Sequence, residues 1–117
     1  MNIEEYRDYC IAKPGVTEAF PFNETVLVFK VMGKMFALTD VDEYAYINLK
    51  CDPEKSIELR ERYPGITGDY HFNKKYWNSV STDGSVPDKL MYELIDHSYE
   101  LVVDKLTKKL KEELLKL

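Results

Sequence analysis

The sequence predicts an α+β domain in which an antiparallel sheet is covered by helices mainly on one face. Two observations support this class. The segments with strand character are joined by short turns, which favours antiparallel pairing, and helical segments stand before, between and after two groups of strands. The predicted order is α-β(3)-α-β(2)-α, and we expect the sheet face away from the helices to be open.

The first helix is predicted over about residues 3–12. Ile3, Tyr6 and Cys10 recur at helical spacing along this segment. The pattern ends before Pro14, because proline disfavours helical backbone in the residue that precedes it.

Three strands are predicted next. A β-branched and aromatic run over 26–31 is followed by the tight turn Met32-Gly33 and by a second run over 34–39. The third strand, over 44–51, alternates between apolar and polar residues, so one face belongs to the core and the other meets solvent. The core face carries Ala45, Ile47, Leu49 and Cys51, and the solvent face carries Tyr44, Tyr46, Asn48 and Lys50.

A second helix is predicted to begin at Asp52 and Pro53. The carboxylate can accept hydrogen bonds from free backbone N–H groups, and proline suits the first helical position because its missing donor would be unpaired there. The helix should end at about Tyr63, before Pro64-Gly65. Residues 66–80 carry bursts of aromatic residues and predict two further strands, of which the second is the stronger.

The longest helix is predicted after a capping box formed by Ser85 and Asp88. Beyond it, Leu106, Leu110 and Leu114 follow a helical spacing. We therefore predict one domain over residues 1–106, followed by a basic, Leu/Lys-rich helical extension over residues 107–117.

The overall charge excludes a general attraction to polyanions. Lys and Arg total 16 against 21 Asp and Glu, which gives a net charge of −5, so any anion site must be local. No segment approaches the ~20 apolar residues that cross a bilayer, and the N-terminus lacks the basic and apolar runs of a signal peptide. We expect a cytoplasmic protein with no membrane contact and with Cys10 and Cys51 as reduced thiols.

The sequence carries no recognisable catalytic set. The metal-binding spacings HExxH and CxxC, the EF-hand loop and the glycine-rich phosphate loops are all missing, so we expect no metal, no cofactor and no enzymatic activity. One alternative stays open. Cys51 lies just before a predicted helix N-terminus, which would stabilise a thiolate, and His71 could serve as its base, although strand alternation points the thiol inward.

Residues 71–78 form the one basic and aromatic-rich segment of this acidic chain. Its lysines, amides and rings could hold phosphate, stack on bases or anchor a protein partner. If the segment is a strand, His71 and Asn73 share one side, and Tyr70 and Phe72 share the other. The solvent face of the third strand, through Tyr46, Asn48 and Lys50, could extend this surface. The candidate nucleic-acid-binding residues are Lys74, Lys75, Trp77, Asn73, His71 and Lys50.

Short segments along nearly the whole chain, to about Lys109, resemble the MmcQ/YjbR family of small bacterial proteins. They occur in the family's order. These segments are Lys13-Pro14-Gly15-Val16, Phe20-Pro21-Phe22, Phe29-Lys30-Val31, Gly33-Lys34-Met35-Phe36-Ala37-Leu38, Leu49-Lys50-Cys51-Asp52-Pro53, Tyr63-Pro64-Gly65-Ile66, His71, Asn73-Lys74, Trp77-Asn78, Asp83-Gly84-Ser85-Val86-Pro87-Asp88, Ser98-Tyr99 and Leu101-Val102.

The resemblance implies the α-β(3)-α-β(2)-α fold of YjbR and of secretion chaperones, in agreement with the order of elements predicted above. The family is commonly labelled DNA-binding, which leads to the hypothesis of a non-enzymatic DNA-binding protein whose lysines hold phosphate while Trp77 stacks. Such binding would be weak and salt-sensitive, because few lysines are available. The alternative is a protein-interaction module that binds a partner or a second copy through the open sheet face or the Leu-rich tail.

Overall fold

The computed structural model describes residues 1–69 and 71–117, which form one antiparallel sheet of six strands and four helices. The strand order in the sheet is β1-β2-β3-β4-β6-β5, and the predicted α+β class is confirmed. The elements, in chain order, are α1 (Ile3–Ile11), β1 (Val16–Ala19), β2 (Val26–Val31), β3 (Lys34–Asp40), β4 (Tyr46–Lys50), α2 (Pro53–Arg62), β5 (Ile66–Gly68), β6 (Trp77–Ser81), α3 (Asp88–Asp104) and α4 (Lys108–Leu115).

Strand β1 is the element that the sequence did not predict. Its four residues, Val-Thr-Glu-Ala, contain no apolar run, yet they pair along β2 with Val16 opposite Val31 and Ala19 opposite Val28. The strand lies at the edge of the sheet, where it has one neighbour and is only half-buried. Its strand conformation depends on pairing with β2, and this cannot be seen in a local pattern.

The helix caps follow the prediction for α2 but not for α3. The carboxylate of Asp52 caps α2 by accepting a hydrogen bond from the backbone N–H of Lys55. The predicted capping box of α3 is wrong, because Pro87 occupies the N-cap and no side chain caps the helix. The backbone N–H of Ser85 instead donates to Asp83 Oδ1, which closes the turn before the helix.

The residues of the predicted C-terminal extension form the separate helix α4. The side chain of Thr107 caps its first turn by accepting from the backbone N–H of Leu110. The helix lies beside Gly15, where the backbone has a φ of 74° and an added Cβ would come within 2.7 Å of Leu114 Cδ1. Gly15 therefore provides both the left-handed turn and the space that brings α4 against the sheet.

The main core lies between the helices and one face of the sheet, as predicted from the alternation over residues 46–50 of β4. Ile47 and Leu49 of β4 belong to it, whereas Asn48 lies on the other face. The prediction is wrong for Tyr44 and Ala45, which precede the strand: Tyr44, with a positive φ of 43°, packs against the main core, whereas Ala45 is exposed on the opposite face. A register shift between β2 and β3 turns Phe36 and Ala37 to the helix side and leaves Met35 among the residues of the opposite face.

Helix α3 is joined to the central strands by the hydroxyl of Ser98. This fully buried group donates to the carbonyl oxygen of Phe36 at 2.5 Å and accepts from the backbone N–H of Lys50 at 2.9 Å. The β3–β4 pairing ends at Ala37 opposite Leu49, one residue before these two backbone groups. Ser98 therefore bridges the strands where their direct pairing stops.

Among the helices of residues 1–69 and 71–117, none combines the length and apolar character needed to cross a membrane.

We expect Ser98→Ala to lower the free energy of unfolding by about 2 kcal/mol, because it leaves a buried carbonyl and a buried N–H without their partner. Denaturant unfolding of the two proteins measures the change. Glu93→Ala, at an exposed position of the same helix, is the control and should alter stability by less than about 0.5 kcal/mol. An equal effect of both substitutions would contradict the bridging role.

Candidate functional site

The sheet face opposite the helices carries a groove of about 610 Å³. Leu38, Asn48 and Ser79 form its floor and lie side by side on β3, β4 and β6. The walls come from the loop before β2, the turn after β3, and the described part of the β5–β6 connection, through Asp69, His71 and Phe72. The remaining lining residues are Phe22, Asn23, Val26, Asp40, Glu43, Ala45, Tyr46, Thr67 and Gly68.

Aromatic rings form two sides of the groove. Phe22 is 60% exposed and Tyr46 is 49% exposed, which is unusual for large apolar side chains. Phe72 lies beside Phe22, with 6.4 Å between the ring centroids, and packs on Trp77 at 5.3 Å. The rim of the groove therefore offers rings that a ligand could cover.

A buried carboxylate lies in the groove. Asp69 is only 3% exposed; its Oδ2 accepts from the side-chain amide of Asn48 at 2.8 Å, and its Oδ1 accepts from the backbone N–H of His71 at 3.0 Å. The amide of Asn48 also donates to Ser79 Oγ at 3.0 Å. These bonds hold the carboxylate in one position on the groove wall.

The described groove lining is acidic. Asp40, Glu43 and Asp69 contribute carboxylates, and no lysine or arginine lines the groove. Asp40 is held by the backbone N–H groups of Asp42 and Glu43, both of which donate to its Oδ1. A groove with these walls favours a ligand that has both apolar and cationic parts.

Arg60 of α2 positions the β5–β6 connection. Its Nε donates to Asn78 Oδ1 at 2.8 Å, and its Nη2 donates to the carbonyl oxygen of Lys74. Sequence reasoning missed this residue, because its partners lie more than ten positions away and a basic residue in the last turn of a helix normally indicates solvent exposure.

The predicted site residue Trp77 belongs to a second apolar cluster. The indole is 8% exposed and packs with Val28 and Leu38, under Phe72 and Tyr76. Because Trp77 is buried among these side chains, the predicted stacking of its ring on a base has little open surface in this arrangement.

The strand parity predicted for residues 71–73 is wrong, because these residues lie in the connection between β5 and β6. His71 reaches the groove. Asn73 organises the turn, since its Oδ1 accepts from the backbone N–H of Lys75 and its carbonyl accepts from those of Tyr76 and Trp77. Tyr70, which was assigned to the same strand, lies outside the described residues.

The predicted site residue Lys75 lies beside the Tyr76 ring, away from the groove lining, together with Lys105, which was not predicted as a site residue. Lys75 Nζ lies 5.6 Å from the Tyr76 ring centroid, and Lys105 Nζ lies 5.8 Å from it. Partial burial lowers the pKa of Lys50, and the positive charge of Lys105 lowers it further. We call Lys50, Lys75 and Lys105 the basic cluster. Lys74 is exposed and adjoins it in sequence.

The structure does not bring Cys51 and His71 together. Cys51 is buried in the core on the helix side of the sheet, whereas His71 lines the groove on the opposite side. Burial raises the pKa of the Cys51 thiol, although the Ser56 hydroxyl and Lys55 oppose this shift. The imidazole near this end of α2 is His97, whose Nε2 accepts from the backbone N–H of Asp52 at 3.1 Å. The described side chains also contain no group of three or more His, Cys, Asp or Glu placed to hold a metal ion.

The element order, the antiparallel sheet and its one helix-covered face define a small α+β fold with a groove on the opposite face. The chain belongs to the YjbR family, whose model matches residues 11–101. The family resemblance predicted from the sequence motifs is therefore confirmed.

Relatives of the chain include two Escherichia coli proteins. YbdF of strain O157:H7 is 41% identical over 97 residues, which are 82% of this chain and 80% of that protein. YjbR of strain K12 is 34% identical over 105 residues, 89% of each chain. Both are named as uncharacterised proteins. The crystal structure of the Deinococcus radiodurans protein DR2400 matches with a TM-score of 0.90 and 42% identity, over 97% of this chain and 87% of that one.

We expect the fluorescence of Trp77, the one tryptophan of the chain, to report its burial. Emission should be blue-shifted in the native protein and nearly insensitive to acrylamide, and both properties should change together on unfolding. Addition of duplex DNA should leave the emission unchanged, because Trp77 is buried in the second apolar cluster. Strong quenching of the native protein by acrylamide or DNA would contradict this packing.

Proposed function

We propose that the chain is a non-enzymatic binding module, and that its groove binds a segment of a partner protein that carries basic and apolar side chains. The observation that carries this proposal is the combination of exposed Phe22 and Tyr46 with three carboxylates in one groove on the sheet face without helices. The aromatic rings would contact the apolar side chains of the partner segment, and the carboxylates would contact its basic side chains.

The groove has the dimensions and the surface of a recognition site. Its volume of about 610 Å³ falls within the range of roughly 300–1,000 Å³ that is typical of ligand sites. Exposed aromatic rings such as Phe22 and Tyr46 provide large contact areas at a low cost in conformational entropy, and they are common among the residues that dominate binding energy.

The charges favour a cationic protein segment over nucleic acid as the occupant. Phosphate groups would meet Asp40, Glu43 and Asp69 without a lysine or arginine in the described lining. The net charge of −5 also attracts basic partners and repels polyanions over longer distances. A basic segment with aromatic or aliphatic side chains fits both the carboxylates and the rings.

We expect basic peptides to bind more tightly than matched neutral or acidic ones. Pools of short synthetic peptides with equal aromatic and aliphatic content, differing only in Arg/Lys, Gln or Glu, can be titrated into the full ¹⁵N-labelled chain. The basic pool should shift the resonances of Tyr46, Asn48 and His71. Equal binding of the three pools, or shifts confined to other surfaces, would contradict the proposal.

The double variant Phe22→Ala/Tyr46→Ala should weaken binding of the basic pool by about tenfold or more, since truncation of a residue that anchors an interface costs over 1 kcal/mol. A matched control is Ile57→Ala/Leu115→Ala, which removes two exposed apolar side chains from α2 and α4. The control should bind like the original chain.

A second candidate function is weak DNA binding at the basic cluster. The observation that favours it is the convergence of Lys75 and Lys105 on the Tyr76 ring, with Lys50 close enough to Lys105 for their charges to interact. These side chains could contact only a few phosphates. Affinity would therefore be low and would fall steeply with salt.

We expect Lys75→Ala/Lys105→Ala to weaken binding to labelled duplex DNA and to reduce the salt slope by about 2, because two phosphate contacts of the basic cluster are lost. Fluorescence anisotropy at two salt concentrations measures both quantities. Lys34→Ala/Lys89→Ala makes the same change in net charge at exposed positions elsewhere and serves as control. Absence of binding at low salt, or equal effects of the two double variants, would rule out this candidate.

A further inference from the structure

The strongest unassigned feature of the groove is the carboxylate of Asp69. Asp69 is only 3% exposed, although it lines an open groove. Its two hydrogen bonds come from neutral donors, the side-chain amide of Asn48 and the backbone N–H of His71. A carboxylate can accept about four hydrogen bonds, so each oxygen retains an acceptor position.

None of the ion pairs within 4.0 Å among residues 1–69 and 71–117 includes this carboxylate. The ion pairs among residues 1–69 and 71–117 join Met1 to Asp88, Arg7 to Glu18 and Lys13 to Asp96. Arg60 lies beside Gly68, but its Nε donates to Asn78 and its Nη2 to the Lys74 carbonyl. Its guanidinium therefore stabilises the β5–β6 connection.

A buried charge is costly unless a counter-charge and hydrogen bonds offset its lost hydration. At Asp69 the hydrogen bonds are provided by the chain, whereas the counter-charge is not. A cationic group entering the groove would supply it, and the carboxylate would lose little further hydration because it is already buried. The gain from such a contact is greater than at an exposed carboxylate.

We infer that Asp69 is the subsite of the groove that binds the guanidinium of an arginine side chain of the partner. This inference rests on the proposed function and names its specificity determinant. Two carboxylate oxygens in one plane match the planar fork of a guanidinium, which forms paired charge-assisted hydrogen bonds. The rings of Phe72 and His71, which line the same groove, offer flat surfaces on which a guanidinium can stack and an ammonium cannot.

The test compares N-acetyl-arginine methylamide with its neutral citrulline analogue, which has nearly the same shape. Each is titrated into the full ¹⁵N-labelled chain, and the side-chain amide of Asn48 and the backbone N–H of His71 serve as reporters because both bond to Asp69. The arginine compound should shift both signals, and citrulline should bind at least about tenfold more weakly. Equal shifts by the two compounds, or none with arginine, would overturn the inference.

Asp69→Asn should abolish the preference for arginine while the aromatic walls still contact apolar probes. Asp8→Asn, an exposed acid on α1, makes the same charge change and should preserve the preference. If Asp69→Asn fails to fold, the arginine and citrulline comparison in the original chain still decides the matter, because it needs no variant.

The same measurements separate the inference from the proposed function. Binding of the basic peptide pool with unchanged affinity after arginine is replaced by citrulline would overturn the subsite and support the groove. Arginine-specific shifts at Asn48 without binding of any peptide pool would support the subsite and overturn the proposed partner. Preference for lysine over arginine at the same reporters would also overturn the assignment to a guanidinium.

Discussion

The structure depends on the attachment of α3 to the centre of the sheet, which is made by the hydroxyl of Ser98. One group satisfies a carbonyl of β3 and an N–H of β4 where the two strands separate. The apolar side chains of α3 pack closely in the main core, and this pair of hydrogen bonds adds directional contacts at one point along the sheet. With α3 there, α1 and α2 pack on either side of it, and the helices share one face of the sheet.

On the opposite face of the sheet, the apolar residues are buried by a loop because none of the described helices packs there. Val28 and Leu38 lie there, and the β5–β6 connection covers them with Phe72, Tyr76 and Trp77. The basic and aromatic segment, which the sequence analysis interpreted as a binding surface, therefore mainly covers a second small apolar core. The groove is the part of this face, beside Leu38 and Asn48, that the segment leaves uncovered.

The sequence predicted the fold more fully than the site, for a physical reason. Alternation in β4 and the cap at Asp52 are local properties, so they could be assigned from spacing alone. Edge strand β1 depends on β2, and the turn at residues 71–76 depends on Arg60 and Asp69, which act across the fold. Assigning alternate residues to opposite faces assumes a regular strand. The assignment fails where side chains from other elements hold the backbone in turns. The aromatic residues over 71–78 predicted an exposed binding surface. Whether such rings are exposed depends on how they pack in the fold, and the local sequence does not show this.

The groove and the basic cluster are two separate regions of opposite charge. The carboxylates of Asp40 and Asp69 are each held by backbone N–H groups of the residues that follow them in sequence. Their positions are therefore established when the turns form, before any ligand arrives, and binding need not order them. The lysines of the basic cluster are long side chains around Tyr76 that a ligand would have to immobilise. If the groove and the basic cluster made equal numbers of contacts with a ligand, the preorganised acidic groove would bind more selectively than the basic cluster.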